Sequence, residues 1–323
     1  MTQTQLDLVI QQAVKRSQSI ERLVYGSGVL NEAITHYTAC FGERPALLIA
    51  DENTWSVAGA RLEQGLKASG IQVHSRILPA APRPKPYTTV GEELTEEIRN
   101  TQSVPVSIGS GVINDLVKYA AHQAGEPYFC VATAASMDGY ASSGAAMIHE
   151  GFKKSISCTA PRLILADLEL LRQAPTRMAG WGYGDLAGKV PAGADWILAD
   201  ALGVEPRDEV AWPLVQDHLQ ACLAEPEGLD AQDSEAYSRL FIGLTLTGLA
   251  MEFHGTSRPA SGADHQIAHL WEMSQHQHQG ELVSHGACVG IGCLTVLALY
   301  EWLFQLEALP IPQALNGPTL SWE

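Results

Sequence analysis

Between residues 46 and 133 short apolar runs alternate with helix-length segments, and this alternation constrains the chain more than any other feature. ALLIAD (46–51) reads as a strand, residues 54–69 as a helix, IQVHSRIL (71–78) as a strand and TTVGEELTEEIRN (88–100) as a helix. VPVSIG (104–109) is the next strand, a helix begins near Ile113, and PYFCVAT (127–133) is again a strand. Strand and helix alternating at this pitch call for a parallel sheet covered on both faces. RLILAD (162–167) is the last short strand. From Leu168 onward the periodicity is helical almost to the end, over 175–202, 208–224, 233–252, 261–276 and 285–307. The expected architecture is therefore two domains with a boundary near residue 160, which suits a chain of 323 residues.

Charge narrows what such a chain binds. Twenty Lys and Arg stand against 36 Asp and Glu, a formal charge of -16 that repels a phosphate backbone and an anionic membrane surface. Nucleic acid is not an expected partner. The six cysteines (Cys40, Cys130, Cys158, Cys222, Cys288, Cys293) form no CxxC pair and read as buried thiols of a reducing, cytoplasmic compartment. The N-terminus has amphipathic spacing without an apolar h-region, so it does not read as a signal peptide. ACVGIGCLTVLALY (287–300) is shorter than the ~18–20 residues of a membrane span. A buried core helix, and no membrane span, is expected there. RPKP (83–86) reads as a rigid surface turn, and the tail after Leu309 as irregular.

Three segments could carry chemistry. SIGSGVINDLVKYAA (107–121) follows a strand and opens a helix, so Gly109 and Gly111 let backbone N–H groups and the helix N-terminus approach a pyrophosphate. The same pair also suits a plain tight turn, and the following Asp115 and Lys118 do not make the Rossmann spacing. CVATAASMDGYASSGAAM (130–147) leaves a strand into small residues with one carboxylate, Asp138. Small residues at a strand's carboxyl end leave room for a ligand, although an ordinary loop would read alike. The third constellation comprises Asp185 in GWGYGDLAGK, His265 and His269 in RPASGADHQIAH, and His285 in VSHGACVG. His265 and His269, four apart, share a helix face, and one carboxylate with two or three imidazoles suits a divalent cation such as Zn²⁺ or Ni²⁺. His276 and His278 lie in a polar run that reads as a solvated loop.

Taken in order between about residues 20 and 300, SIGSGVINDLVKY, TAASMDGYASSGAAM, GYGDLAGKVPAGADW, HGTSRPASGADH and SHGACVGIG resemble the bacterial sn-glycerol-1-phosphate dehydrogenases. These belong to the superfamily of iron-containing alcohol dehydrogenases, glycerol dehydrogenase and dehydroquinate synthase. The resemblance implies an α/β plus all-α fold of the dehydroquinate synthase type. Its N-terminal parallel-sheet domain (1–160) would bind the dinucleotide, its C-terminal helical domain (161–323) a metal, with the active site in the cleft between them. It further implies reduction of dihydroxyacetone phosphate, a phosphorylated triose, to sn-glycerol 1-phosphate with NAD(H) or NADP(H) and one divalent metal ion per subunit, in a homodimer. More helices are expected beyond residue 323. Other readings of this layout are a glycerol dehydrogenase-like polyol oxidoreductase, a dehydroquinate synthase-type lyase and a non-catalytic nucleotide- or metal-binding protein. The lyase would call for more converging Lys and Arg than this acidic chain provides.

Carried over by position, the resemblance assigns Gly109, Ser110, Gly111, Val112 and Ile113 to the pyrophosphate loop, and Thr133, Ser136 and Ser142 to the dinucleotide. It assigns Asp138 and His269 to substrate contact and Asp185, His265 and His285 to the metal. The loop reads Gly-Ser-Gly where many superfamily members have three glycines. Ketone reduction builds negative charge on the carbonyl oxygen, which a cation held by the triad would stabilise, and a proton must arrive from bound water or His269. A phosphate entering so acidic a protein needs a fixed cation. Lys189, four residues after Asp185 on one helical face, is the expected one, ahead of Lys153, Lys154 and Arg258, which read as solvated. Asp51 ends the ALLIAD strand, where a carboxylate would accept from a ribose hydroxyl and repel a 2′-phosphate, favouring NAD.

Overall fold

The computed structural model describes residues 1–306; the irregular tail expected after Leu309 lies outside them. The chain opens with α1 (Gln3–Val14), β1 (Arg22–Gly26), a 3₁₀ turn, α2 (Ala33–Phe41) and β2 (Ala46–Asp51). A short α3 (Glu52–Thr54) passes through a π-turn into α4 (Ala60–Ala68), followed by β3 (Val73–Leu78), α5 (Thr88–Thr101), β4 (Val104–Gly109), α6 (Gly111–Ala124) and β5 (Phe129–Ala132). A hairpin of β6 (Gly144–His149) and β7 (Phe152–Ser157) precedes β8 (Leu163–Asp167). Helices then dominate: α7 (Leu168–Gln173), α8 (Thr176–Ala187), α9 (Lys189–Ala201), α10 (Ala211–Cys222), α11 (Glu227–Asp230), α12 (Ser234–His254) and α13 (Ala263–Met273). A two-residue pair, β9 (Gln277–His278) and β10 (Glu281–Leu282), leads into α14 (His285–Phe304).

Six strands form one parallel sheet in the order β1-β8-β5-β4-β2-β3. Alternate side chains of each central strand enter two different cores, as the period of 2 requires. Leu47 and Ile49 of β2, Cys130 and Ala132 of β5, and Ile164 and Ala166 of β8 join the larger core. Leu48, Val106, Val131 and Leu165 join the core on the other face. Each such aliphatic side chain, removed from water, stabilises the fold by roughly 1.5–3 kcal/mol. The larger core continues into α1 and α12, and α12 is buried along almost its whole length. The sheet also includes β1 at one edge, a strand not expected from the sequence, and the expected strand β8, which sits between β1 and β5 just after the expected boundary at residue 160.

Two features differ from expectation. The small-residue loop after β5 ends in the β6–β7 hairpin, whose two-residue turn at Glu150 and Gly151 has positive φ at both positions (51° and 85°), the geometry that matches strand twist. The apolar helix α14 is only half a core helix: Gly286, Cys288, Val289, Gly292, Cys293 and Val296 are buried, while Leu294, Leu299, Trp302 and Phe304 are exposed. Its packed half lies against α8 and α13. By length and composition α14 is the one described helix apolar enough to cross a membrane. All six cysteines are buried and free, as expected.

Candidate active site

The carboxyl ends of β4 and β5 meet at the Gly-Ser-Gly turn. Thr133 N donates to Gly109 O across the two strands (3.2 Å). A side chain on Gly109 would lie 2.5 Å from Ile113, so only glycine lets α6 start this close to the strand. Ser110 takes the N-cap position of α6 but makes no side-chain cap bond, which leaves the N-terminal N–H groups to an external acceptor. Ser110, Gly111 and Val112 are partly exposed, whereas Ile113 is buried. Asp51, at the end of β2, accepts from Thr54 N (2.8 Å) and caps α3.

The loop after β5 is held from beneath. Lys118, fully buried on α6, donates to Gly139 O, Ser142 O, Ser142 Oγ and Gly144 O at 2.5–3.1 Å. Burial lowers its pKa, partly offset by Asp115, whose carboxyl burial pushes up to about 6. Ser142, expected to face a dinucleotide, instead spends its hydroxyl inside this knot, on Lys118 and the carbonyls of Gly139 and Gly144. Thr133 and Ser136 are buried in the same loop. Lys118, noted in the sequence only as falling outside the Rossmann spacing, is the residue that fastens this loop. Its signal was a lysine on the apolar face of a helix, three residues after Asp115.

This loop runs straight into the third constellation. Asp138 N donates to Asp185 Oδ2 (3.1 Å), and Asp138 Oδ2 lies 2.8 Å from Lys189 Nζ. Lys189 also bonds Asp185 Oδ1 at 2.7 Å, and both side chains are fully buried. α8 approaches so closely because it carries small residues: a Cβ on Gly182 would meet Ala135 O at 2.0 Å, and one on Gly184 would meet Gly286 O at 2.5 Å. Burial alone would neutralise Asp185, but the Lys189 ammonium and the His265 ring beside it overrule it and hold the carboxyl well below the usual carboxylate range. Burial likewise opposes the Lys189 charge, and Asp138 and Asp185 reverse that to keep it firmly protonated. The ammonium expected for a substrate phosphate is thus committed to two carboxylates.

Asp185, His265 and His285 bring one ligand atom each within 4.8 Å of one another, from α8, α13 and α14. His265 Nε2 lies 3.7 Å from Asp185 Oδ1, and the His265 and His285 rings are 5.4 Å apart. Asp264 Oδ2 accepts from His265 Nδ1 (2.7 Å) and Glu272 Oε1 from His285 Nδ1 (3.0 Å), so the neutral form of each ring has its lone pair on Nε2. The net charge of Asp138, Asp185 and Lys189 is one negative. An ionised carboxylate with two oriented imidazoles is a donor set that fits a borderline divalent cation. Burial and Lys189 push the His265 pKa down, but the nearby Asp185 carboxylate and the bond to Asp264 leave it raised.

His269 lies one turn along α13, its ring 6.0 Å from His285. Burial, then Lys153 and His285, push its pKa down to about 4, so at neutral pH it is an uncharged imidazole. Lys153, read as solvated, bonds both oxygens of Glu272 at 2.8 Å. Arg258 pairs with Glu205 at 2.8 Å over Trp196. A pair of cations not singled out by the motifs does converge here: Arg83, in the RPKP turn, and Arg177 lie 5.8 and 5.7 Å from the ring centre of Trp181. Trp181 is one turn before Asp185, and its backbone packs against Gly286 beside His285.

Comparison with known proteins gives a consistent result. Residues 24–175 match the family model described as iron-containing alcohol dehydrogenase. The chain is 32% identical over 288 residues to the glycerol-1-phosphate dehydrogenase [NAD(P)+] of Bacillus licheniformis, covering 88% of this chain and 71% of that one. It is 30% identical to the protein of the same description from Pyrococcus furiosus, covering 93% of this chain and 84% of that one. Among solved structures it resembles the glycerol dehydrogenase of Schizosaccharomyces pombe, with a TM-score of 0.65 and 18% identity over 88% of this chain and 72% of that one, a likeness of fold.

Proposed function

The chain belongs to the glycerol-1-phosphate dehydrogenase family of the iron-containing alcohol dehydrogenases, and from that premise we propose that it reduces dihydroxyacetone phosphate to sn-glycerol 1-phosphate with NAD(P)H and a divalent metal ion. The observation that carries this reading is the 3.1 Å bond from Asp138 N to Asp185 Oδ2. It ties the loop that leaves β5 beside Gly109, the side suited to a dinucleotide, to the carboxylate of the Asp185, His265 and His285 triad. Hydride donor and ketone must meet, and this contact sets the two halves of the site edge to edge.

In this reading Asp185, His265 and His285 hold the metal, which supplies Lewis acidity at the ketone while the nicotinamide supplies the hydride. Gly109 to Ile113 form the turn that receives the pyrophosphate, with the uncapped N–H groups at the start of α6 turned to it. Thr133 and Ser136 wall the loop beneath it, and Ser142 with Lys118 fixes that loop's shape. Asp51 disfavours a 2′-phosphate at the end of β2, which favours NADH. Lys189 bonds one oxygen of Asp138 and one of Asp185, so that Asp138 presents its other oxygen to the substrate hydroxyl. His269, uncharged at neutral pH, offers the substrate a hydrogen bond rather than a proton. Arg83 and Arg177, stacked over Trp181, supply the cations that a phosphorylated triose needs in a protein of charge -16.

The division into a nucleotide-binding unit and a helical metal-binding unit belongs to the same proposal, with β8 counted in the first. So do the homodimer and the cytoplasmic location. Six buried, unpaired thiols support the latter. The deciding experiment follows NADH and NADPH oxidation by purified protein supplied with Zn²⁺ or Ni²⁺ and dihydroxyacetone phosphate. Turnover is expected with the phosphorylated ketone; turnover with dihydroxyacetone alone would move the protein to glycerol dehydrogenase chemistry.

A further inference from the structure

His285 is the least enclosed member of the triad. Its side chain is 31% exposed, against 4% for His265 and 0% for Asp185, and it is the first residue of its helix. An imidazole so placed rotates freely unless a partner fixes it. His265 has Asp264. For His285 the partner is Glu272, near the end of α13, whose Oε1 accepts from Nδ1 at 3.0 Å. A carboxylate in that position fixes the tautomer, orients the ring and makes Nε2 a better ligand.

Glu272 has a competing use. His269, Glu272 and His285 also bring ligand atoms within 4.8 Å of one another, so an unrestrained Glu272 could itself turn to a cation. What prevents this is Lys153, whose ammonium lies 2.8 Å from both carboxylate oxygens, leaving neither free of a proton donor. Lys153 comes from β7, 119 residues earlier, on the hairpin that the cofactor-side loop feeds. The contact therefore crosses from the sheet half to the helical half at the site.

We propose that Glu272 is a positioning residue for His285 and that Lys153 holds it in that role, so that the seating of the β6–β7 hairpin helps set the geometry of the metal site. The inference rests on the reading of Asp185, His265 and His285 as the metal-holding set.

The test measures Zn²⁺ affinity of the metal-free full-length protein by chelator competition, together with the visible absorption of its Co²⁺ form. Glu272→Ala should weaken Zn²⁺ binding by about 10–100-fold, and Glu272→Gln, which keeps an oxygen for Nδ1–H, should recover most of the loss with wild-type Co²⁺ bands. Lys153→Met should shift those bands, because the freed carboxylate can reach the cation. Wild-type affinity in Glu272→Ala overturns the proposal. So does a Glu272→Gln protein whose Co²⁺ bands change while Asp185→Asn binds normally, since Glu272 would then be a ligand. Failure of the wild type to bind Zn²⁺ at all would instead remove the underlying metal reading, and the positioning role with it.

Discussion

Lys189 Nζ lies 2.7 Å from Asp185 Oδ1, and neither side chain reaches water. Asp138 closes the other side of the ammonium at 2.8 Å. One buried cation thus serves two carboxylates, one from the loop after β5 and one from α8. Lys189→Met leaves both without their cation and should destabilise the metal-free protein by about 3–5 kcal/mol. A divalent cation would restore part of that charge balance, so added Zn²⁺ should raise the Tm of the variant by more than that of the wild type. Equal shifts in a pair of thermal unfolding curves would show that the metal does not share these carboxylates.

Asp185→Asn keeps the shape of the side chain and removes its charge. Metal content after gel filtration should fall to a small fraction of one ion per chain. Reduction of dihydroxyacetone phosphate should fall by about 10²–10³-fold, the scale of losing several kcal/mol of charge stabilisation. A variant that retains full occupancy would take Asp185 out of the ligand set.

Five of the six strands of the sheet were legible because each is a short apolar run bounded by turn residues, and ALLIAD and VPVSIG coincide with β2 and β4 to the residue; β1, at one edge, was not. Nor was the hairpin. Its turn is Glu-Gly rather than the Asn-Gly or Asp-Gly that announces such a turn, and β7 reads FKKSIS, with little alternation. The histidines and Asp185 could be grouped by residue type. What no spacing could reveal was that Lys189 is neutralised by Asp138, or that Lys153 meets Glu272, because those partners are separated by 51 and 119 residues. Long-range pairing decides whether a lysine is a solvated cation or a buried strut, and the apolar pattern around it carries only a hint.

Gly182 tests how closely α8 must approach the loop that carries Asp138. A Cβ there would sit 2.0 Å from Ala135 O, a backbone atom that cannot swing aside. Gly182→Ala should cost about 1–3 kcal/mol of stability, since helix and loop must separate. The separation also stretches the contact between Asp138 N and Asp185, so kcat should fall even in molecules that remain folded. Unchanged stability and unchanged kcat in urea unfolding and steady-state assays would refute the close packing.

His269 has a folded-state pKa pushed down to about 4 by burial, then by Lys153 and His285, against an ordinary value of 6.5. Between those two values the unfolded chain binds the proton that the folded chain refuses. Stability of the metal-free protein should therefore drop as pH falls from 6.5 towards 4, while His265, whose pKa is raised, acts in the opposite sense. The contribution of His269 is isolated by difference: His269→Gln should lose stability less steeply than wild type over that window in EDTA. Parallel curves for the two proteins would mean that His269 titrates as it does in water.

Arg83 and Arg177 come from the two halves of the chain and each lies against the same indole, Trp181. In so acidic a protein two guanidiniums repel each other and gain most when an anion lies between or beside them. Among the described residues Arg177 pairs with one carboxylate, Glu281 at 3.9 Å and exposed, a weak restraint that a phosphate dianion displaces readily. Removing one charge-assisted contact to phosphate costs about 1.5–3 kcal/mol, which is roughly a 10–100-fold rise in KM. Arg177→Ala should therefore raise the KM for dihydroxyacetone phosphate on that scale, with kcat changed far less. The same variant should use unphosphorylated dihydroxyacetone as well, or as poorly, as the wild type does. Only that difference separates a phosphate contact from a general loosening of the cleft, because loosening would damage both substrates alike.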